Sequence, residues 1–137
     1  MDPFAVLVDS RGGHTRKVAA AIAEELGVKV GDIRKPLPDA GILFLGSGMY
    51  GTGPGDDMRY LLRDGTFTGR KVALFATSGS GDGPKMIDSM AETLEKKGAI
   101  VLKNAGSPGK AILVRFRNVH AEDLEDARRW AREIAGK

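Results

Sequence analysis

The sequence predicts an α/β fold, a doubly wound open parallel sheet of about five strands with helices on both faces, in a single domain spanning residues 1–137. Three observations predict it. Continuously apolar, β-rich runs recur at residues 4–8, 41–45 and 71–76, as expected of strands buried on both faces of a parallel sheet. Between them lie segments with apolar residues at helical spacing, the pattern of crossover helices. A glycine-rich loop follows each run, at Gly12-Gly13, Gly46 to Gly55 and Gly79 to Gly83.

After the first strand and the turn Asp9 to Thr15, the residues Val18, Ala21, Ile22 and Leu26 mark a helix that Gly27 terminates. A weaker strand at Val28 to Ile33 leads into a linker containing Pro36 and Pro38. Asp56 or Asp57 is placed to cap a short helix carrying Met58, Leu61 and Leu62. Pro84 suits the first turn of a helix running to about Lys97, with Met86, Ile87, Met90 and Leu94 inside and Gly98 as terminator. Ala99 to Leu102 then reads as a strand, and Leu113, Val114 and Phe116 as an extended stretch or edge strand. Ala121 to Ala135 closes the chain as a helix with Leu124, Ala127, Ala131 and Ile134 facing in, His120 capping and Trp130 packing.

Composition narrows the chemistry. With 42% hydrophobic and 28% charged residues the chain resembles an ordinary globular domain, and no apolar run reaches the length of a membrane span. The amino terminus enters a strand without the pattern of a signal peptide, so the expected location is cytoplasmic. The absence of cysteine removes disulfides, thiolate metal sites, iron–sulfur ligation and cysteine nucleophiles, and leaves any redox chemistry to a bound cofactor. The net charge of +3 comes from basic residues interleaved with acids, which argues against a nucleic-acid partner.

In a doubly wound sheet, ligands bind beyond the carboxyl ends of the strands, and all three glycine loops lie at that edge. The first loop, Ser10-Arg11-Gly12-Gly13-His14-Thr15, lies between a buried strand and a helix start. Glycines let the backbone turn N–H groups inward, Ser10 and Thr15 add hydroxyl donors, and the helix amino terminus adds partial positive charge. Together they form an anion cradle that needs neither lysine nor metal.

On these residues the chain resembles the flavodoxin family. The family's first-loop pattern is met at Val6, Leu7, Ser10, Gly13, Thr15, Ala19 and Ile22; it is departed from at Val8, where Phe or Tyr is usual, and at His14, where Asn is common. Residues 106–110 and 118–124 are also similar to the ends of short flavodoxin-like chains. The resemblance implies strand order 2-1-3-4-5 and FMN as cofactor, its phosphate on Ser10, Gly12, Gly13, His14 and Thr15, with Arg11 in the same loop. It implies that the second loop, with Ser47, Gly48, Met49, Tyr50 and Gly51, lies along the isoalloxazine. Tyr50 is then the candidate stacking aromatic and Met49 the other option. It assigns Thr77, Ser78, Gly79, Gly81 and Asp82 of the third loop to the flavin pyrimidine; that loop holds no aromatic, which leaves one ring face open. No catalytic acid, base, nucleophile or metal ligand is expected.

Two other motifs compete. Gly46-Ser-Gly-Met-Tyr-Gly51 satisfies the dinucleotide fingerprint, but it follows an internal strand, leads into a loop containing Pro54 and lacks a convincing ribose-binding acid. A phosphate-receiver domain would need an acidic pair after the first strand and a late lysine, and only Asp9 is near such a place. The expected function is FMN-dependent electron transfer between redox partner proteins, with an acidic docking surface on the partner and a monomer or weak homo-oligomer here. The alternative is an FMN-dependent oxidoreductase on the same scaffold, resembling quinone reductases or protoporphyrinogen oxidases, acting on a small organic substrate.

Overall fold

The computed structural model describes residues 2–78, 83–102, 113–114 and 119–136. Six strands form, β1 (Asp2–Asp9), β2 (Ala40–Tyr50), β3 (Gly53–Pro54), β4 (Lys71–Thr77), β5 (Ile100–Val101) and β6 (Leu113–Val114), with four helices, α1 (His14–Leu26), α2 (Asp56–Asp64), α3 (Gly83–Lys96) and α4 (Ala121–Ala135). β1, β2 and β4 are parallel neighbours in that order, and β5 and β6 pair with the same edge of β4, β5 opposite its start and β6 opposite its end. On the far side of β1, Val30 makes a parallel bridge to Val6. With Val30 at the second-strand position, the spatial order is the predicted 2-1-3-4-5.

Successive strand residues point to opposite faces, and the apolar runs therefore feed two cores. Leu7, Leu43, Leu45, Val72 and Leu74 meet Met58 and Leu62 of α2 and Met86, Ile87, Met90 and Leu94 of α3. Phe4, Val6, Val8, Phe44, Ala73 and Phe75 meet Val18, Ala19 and Ile22 of α1 and Ala127, Trp130 and Ala131 of α4. Trp130 receives Phe44 and Phe75 edge-on, with ring centroids 5.7 and 6.4 Å away. Arg132 of α4 reaches Glu25 of α1 at 2.6 Å and ties the two helices together.

Four sequence expectations are corrected. The weak strand at residues 28–33 is a single bridge, because after Gly31 donates to the Val6 carbonyl the Asp32 carboxylate accepts the Arg34 N–H at 2.9 Å and turns the chain away. That backbone bond holds the Asp32 carboxyl below the ordinary carboxylate range. β2 does not end at Leu45: it runs to Tyr50, because Ser47 still pairs with Asp9 and Gly48 with Thr77, and Met49 and Tyr50 then pair antiparallel with β3. The fifth strand is shorter than residues 99–102. The cap of α2 is neither Asp56 nor Asp57 but Gly55, with the side-chain bond supplied by Asp9 of β1. Phe116 and residues 106–110 lie outside the described residues.

Gly46 shows how tightly the sheet and α4 fit. A Cβ there would lie 2.0 Å from Cε2 of Phe75. Gly46→Ala should therefore destabilise the fold by about 1–3 kcal/mol through overpacking, measured by urea unfolding. Adding Phe75→Leu should return part of the loss, and an unchanged midpoint in Gly46→Ala would contradict the packing role.

Candidate functional site

The first loop ends in Gly13, whose φ of +86° favours glycine and which serves as the amino-terminal cap of α1. Among the described residues no side chain caps this helix, and no acid lies in its first turn, so no described group compensates its amino-terminal N–H groups and dipole. Ser10 Oγ accepts the Gly13 N–H at 3.1 Å, which leaves the serine proton directed elsewhere. At Gly12 a Cβ would meet nothing within 4 Å, so there is open space beside this residue. His14 is the first helical residue and half-buried, while Arg11 is exposed, with its guanidinium 3.8 Å from Asp56.

Thr15 is fully buried, and its hydroxyl lies 2.6 Å from that of Thr77 at the end of β4. Each hydroxyl carries one proton, and their mutual bond consumes one of the two. One proton remains for a ligand oxygen. The pair links the first loop to the third and brings Ser10, Arg11, Gly12, Gly13, His14, Thr15 and Thr77 to one corner of the carboxyl rim.

The second predicted loop is used differently from the expectation. Ser47 is fully buried; its hydroxyl donates to the Gly48 carbonyl at 2.7 Å and accepts the Gly55 N–H at 3.0 Å, which folds the 51–55 turn back on β2. Gly51, with φ of +69°, makes the turn. Tyr50 bends over the first loop: its phenol oxygen accepts the Arg11 N–H, and the Arg11 guanidinium lies 4.3 Å from its ring centroid. Gly48 makes room for this, since a Cβ there would stand 2.6 Å from the phenol oxygen and 3.2 Å from Thr15 Oγ1. The three glycines of the fingerprint-like run thus serve Phe75, Tyr50 and a turn. Met49 touches Ser78, whose hydroxyl is 3.5 Å from its sulfur. Gly79, Gly81 and Asp82 lie outside the described residues.

Asp9 is a structural residue that sequence reasoning left without a role. Its carboxylate is buried, accepts the Met58 N–H at 3.0 Å, and stands where a Cβ on Gly55 would be 2.2 Å from Oδ2. It caps α2 from a neighbouring strand, and the only sequence signal is an acid at a strand end facing a Gly-Asp-Asp run. Exposed Arg16, Lys17 and Lys85 join Arg11 around the rim, against exposed Asp56 and Asp88 and half-buried Asp57. Beside the second loop a cavity of about 340 Å³ is lined by Met49, Thr52, Lys85, Met86 and Ser89. Among the described residues no cluster of His, Cys, Asp and Glu could hold a metal ion.

The buried hydroxyl pair makes a specific prediction. Thr15→Val alone should cost about 1–3 kcal/mol by leaving Thr77 unsatisfied, and the Thr15→Val, Thr77→Val double variant less than the sum of the two single changes. Additive losses in urea unfolding would show that the two hydroxyls do not depend on each other.

No protein-family profile matches the chain, and no curated protein does. Solved structures do. A flavodoxin from the domain Archaea superposes with a TM-score of 0.77 at 22% identity, over 97% of this chain and 96% of that one. A flavodoxin, WrbA-like protein from Agrobacterium tumefaciens gives 0.79 at 19%, over 98% and 96%. A Fusobacterium nucleatum flavodoxin mutant bound to flavin mononucleotide gives 0.76 at 17%, over 97% and 95%. Since the chain superposes on these structures over nearly the whole length of both chains, the fold of this protein is flavodoxin-like.

Proposed function

We propose that this chain binds FMN at the carboxyl rim of its sheet and carries electrons between redox proteins. The observation that supports the reading most is the first loop, which combines a left-handed glycine, two hydroxyls and a helix amino terminus without a side-chain cap among the described residues. That is a donor set for a terminal phosphate, and the similar solved structures include a flavodoxin bound to flavin mononucleotide. Backbone N–H groups of Arg11, Gly12, Gly13, His14 and Thr15 and the hydroxyls of Ser10 and Thr15 would hold the phosphate; Met49 and Ser78 would face the ring. FMN when bound accepts and passes on one or two electrons. The chain's own residues orient it and set the charge around it.

The finer parts of the reading concern the partner. Arg11, Arg16, Lys17 and Lys85 are exposed around the rim, and a protein surface with this balance favours an acidic docking partner. Asp56 beside Arg11 offsets part of that charge, and at the exposure of both groups the pair is worth little. No helix among the described residues is long and apolar enough to cross a membrane; a cytoplasmic location and a monomer or weak homo-oligomer are part of the proposal. The cavity lined by Met49, Thr52, Lys85, Met86 and Ser89 favours a second reading, an oxidoreductase admitting a small organic acceptor beside the flavin. Turnover of a quinone with a nicotinamide donor, in the absence of any partner protein, would establish that reading.

Ser10→Ala combined with Thr15→Ala should weaken FMN by about 2–4 kcal/mol and riboflavin by far less, since each lost hydroxyl bond to a charged acceptor is worth about 1.5–3 kcal/mol and the contributions are not fully additive. Isothermal titration of both flavins checks this, and equal weakening would remove the loop as the phosphate site. For the partner, association should slow as salt rises from 50 to 300 mM, by about tenfold or less given the small net charge; a rate that rises with salt would contradict the acidic surface.

A further inference from the structure

The Tyr50 hydroxyl occupies the place that the first loop offers to an anion. It is an oxygen acceptor on the Arg11 N–H, and an added Cβ on Gly48 would touch both it and Thr15 Oγ1, so it lies at the corner where the cradle donors converge. The ring is held there from outside by the Arg11 guanidinium, itself beside Asp56. Ser10 accepts the Gly13 N–H and Thr15 is paired with Thr77, so the Arg11 N–H is the loop donor whose acceptor comes from the second loop. A phosphate cannot take the Arg11 N–H while the phenol oxygen holds it.

We propose that Tyr50 is a latch on the phosphate cradle: its hydroxyl takes the position of a phosphate oxygen and must swing out when a phosphate group enters. The inference rests on the reading of this loop as a phosphate site and adds to it a closed state that competes with the ligand. Opening costs one hydrogen bond and the contact between Arg11 and the ring, and apparent affinity falls by the fraction of molecules that are open. Displacement also changes the role of Tyr50. The released ring, the only aromatic in any of the three rim loops, is then free to lie against the isoalloxazine. Latching and stacking are thus successive positions of one side chain.

Tyr50→Phe removes the hydroxyl and keeps the ring under Arg11. Inorganic phosphate titrated into the flavin-free protein should bind the variant about 3- to 10-fold more tightly than the wild type, the range of one net hydrogen bond. Equal or weaker phosphate binding by Tyr50→Phe overturns the latch; weaker binding would make the phenol a ligand of the phosphate instead. A second readout needs no substitution. In wild-type protein labelled at tyrosine Cζ, the Tyr50 resonance should move as phosphate saturates and the Tyr60 resonance should stay, and a motionless Tyr50 resonance also overturns the latch. FMN titrated in parallel separates the two claims: phosphate tightening without FMN binding leaves the latch and removes the cofactor, while FMN binding with no phosphate tightening does the reverse.

Discussion

Parallel strands can be joined only by crossovers that cover the faces of the sheet, so every strand-to-helix loop must leave from the same edge. That constraint governs this chain. β1, β2 and β4 are buried on both sides by four helices, and their register puts Asp9 beside Ser47 and Gly48 beside Thr77 at the carboxyl rim. The groups that follow them are brought together by the sheet rather than by contacts of their own. The candidate site is the inevitable meeting place of loops that are far apart in sequence, as the bond between Thr15 and Thr77 shows.

Two kinds of polar residue share that rim and do opposite work. Asp9 and Ser47 point into the protein, one capping α2 and the other closing the turn after β2, and both are spent on structure. Ser10 and Thr15 are bonded too, but each belongs to a hydroxyl arrangement with a proton still to give. These hydroxyls differ in the donors that remain to them and not in burial, since Thr15 is as buried as Ser47. Glycines divide in the same way: Gly46, Gly48 and Gly55 admit a ring, a phenol and a carboxylate, whereas a Cβ on Gly12 or Gly13 would meet open space.

Much of this was legible in the sequence because burial on both faces writes a local pattern. The apolar runs of β1 and β4, the stripes of α1, α3 and α4, and the hydroxyl-glycine loop before α1 are each specified by neighbours within a few residues. What failed was set by distant partners. The extension of β2 through Ser47 to Tyr50 depends on pairing with Asp9 and Thr77, and its glycines masked it as a loop. The cap of α2 comes from a residue in another strand, which local capping rules cannot reveal. Tyr50 was identifiable as the rim's aromatic, but its folding back over Arg11 follows from the turn at Gly51 and the space at Gly48.

The account stands on the claim that the loop from Ser10 to Thr15 holds a flavin phosphate. The most direct test follows the backbone amide resonances of Arg11, Gly12, Gly13, His14 and Thr15 while FMN and then riboflavin are added to the flavin-free protein. Both flavins should shift amides near Met49 and Ser78, and only FMN should move the loop amides strongly downfield, as N–H groups bonded to a charged oxygen do. Loop amides that respond equally to the two flavins, or to neither, would contradict it.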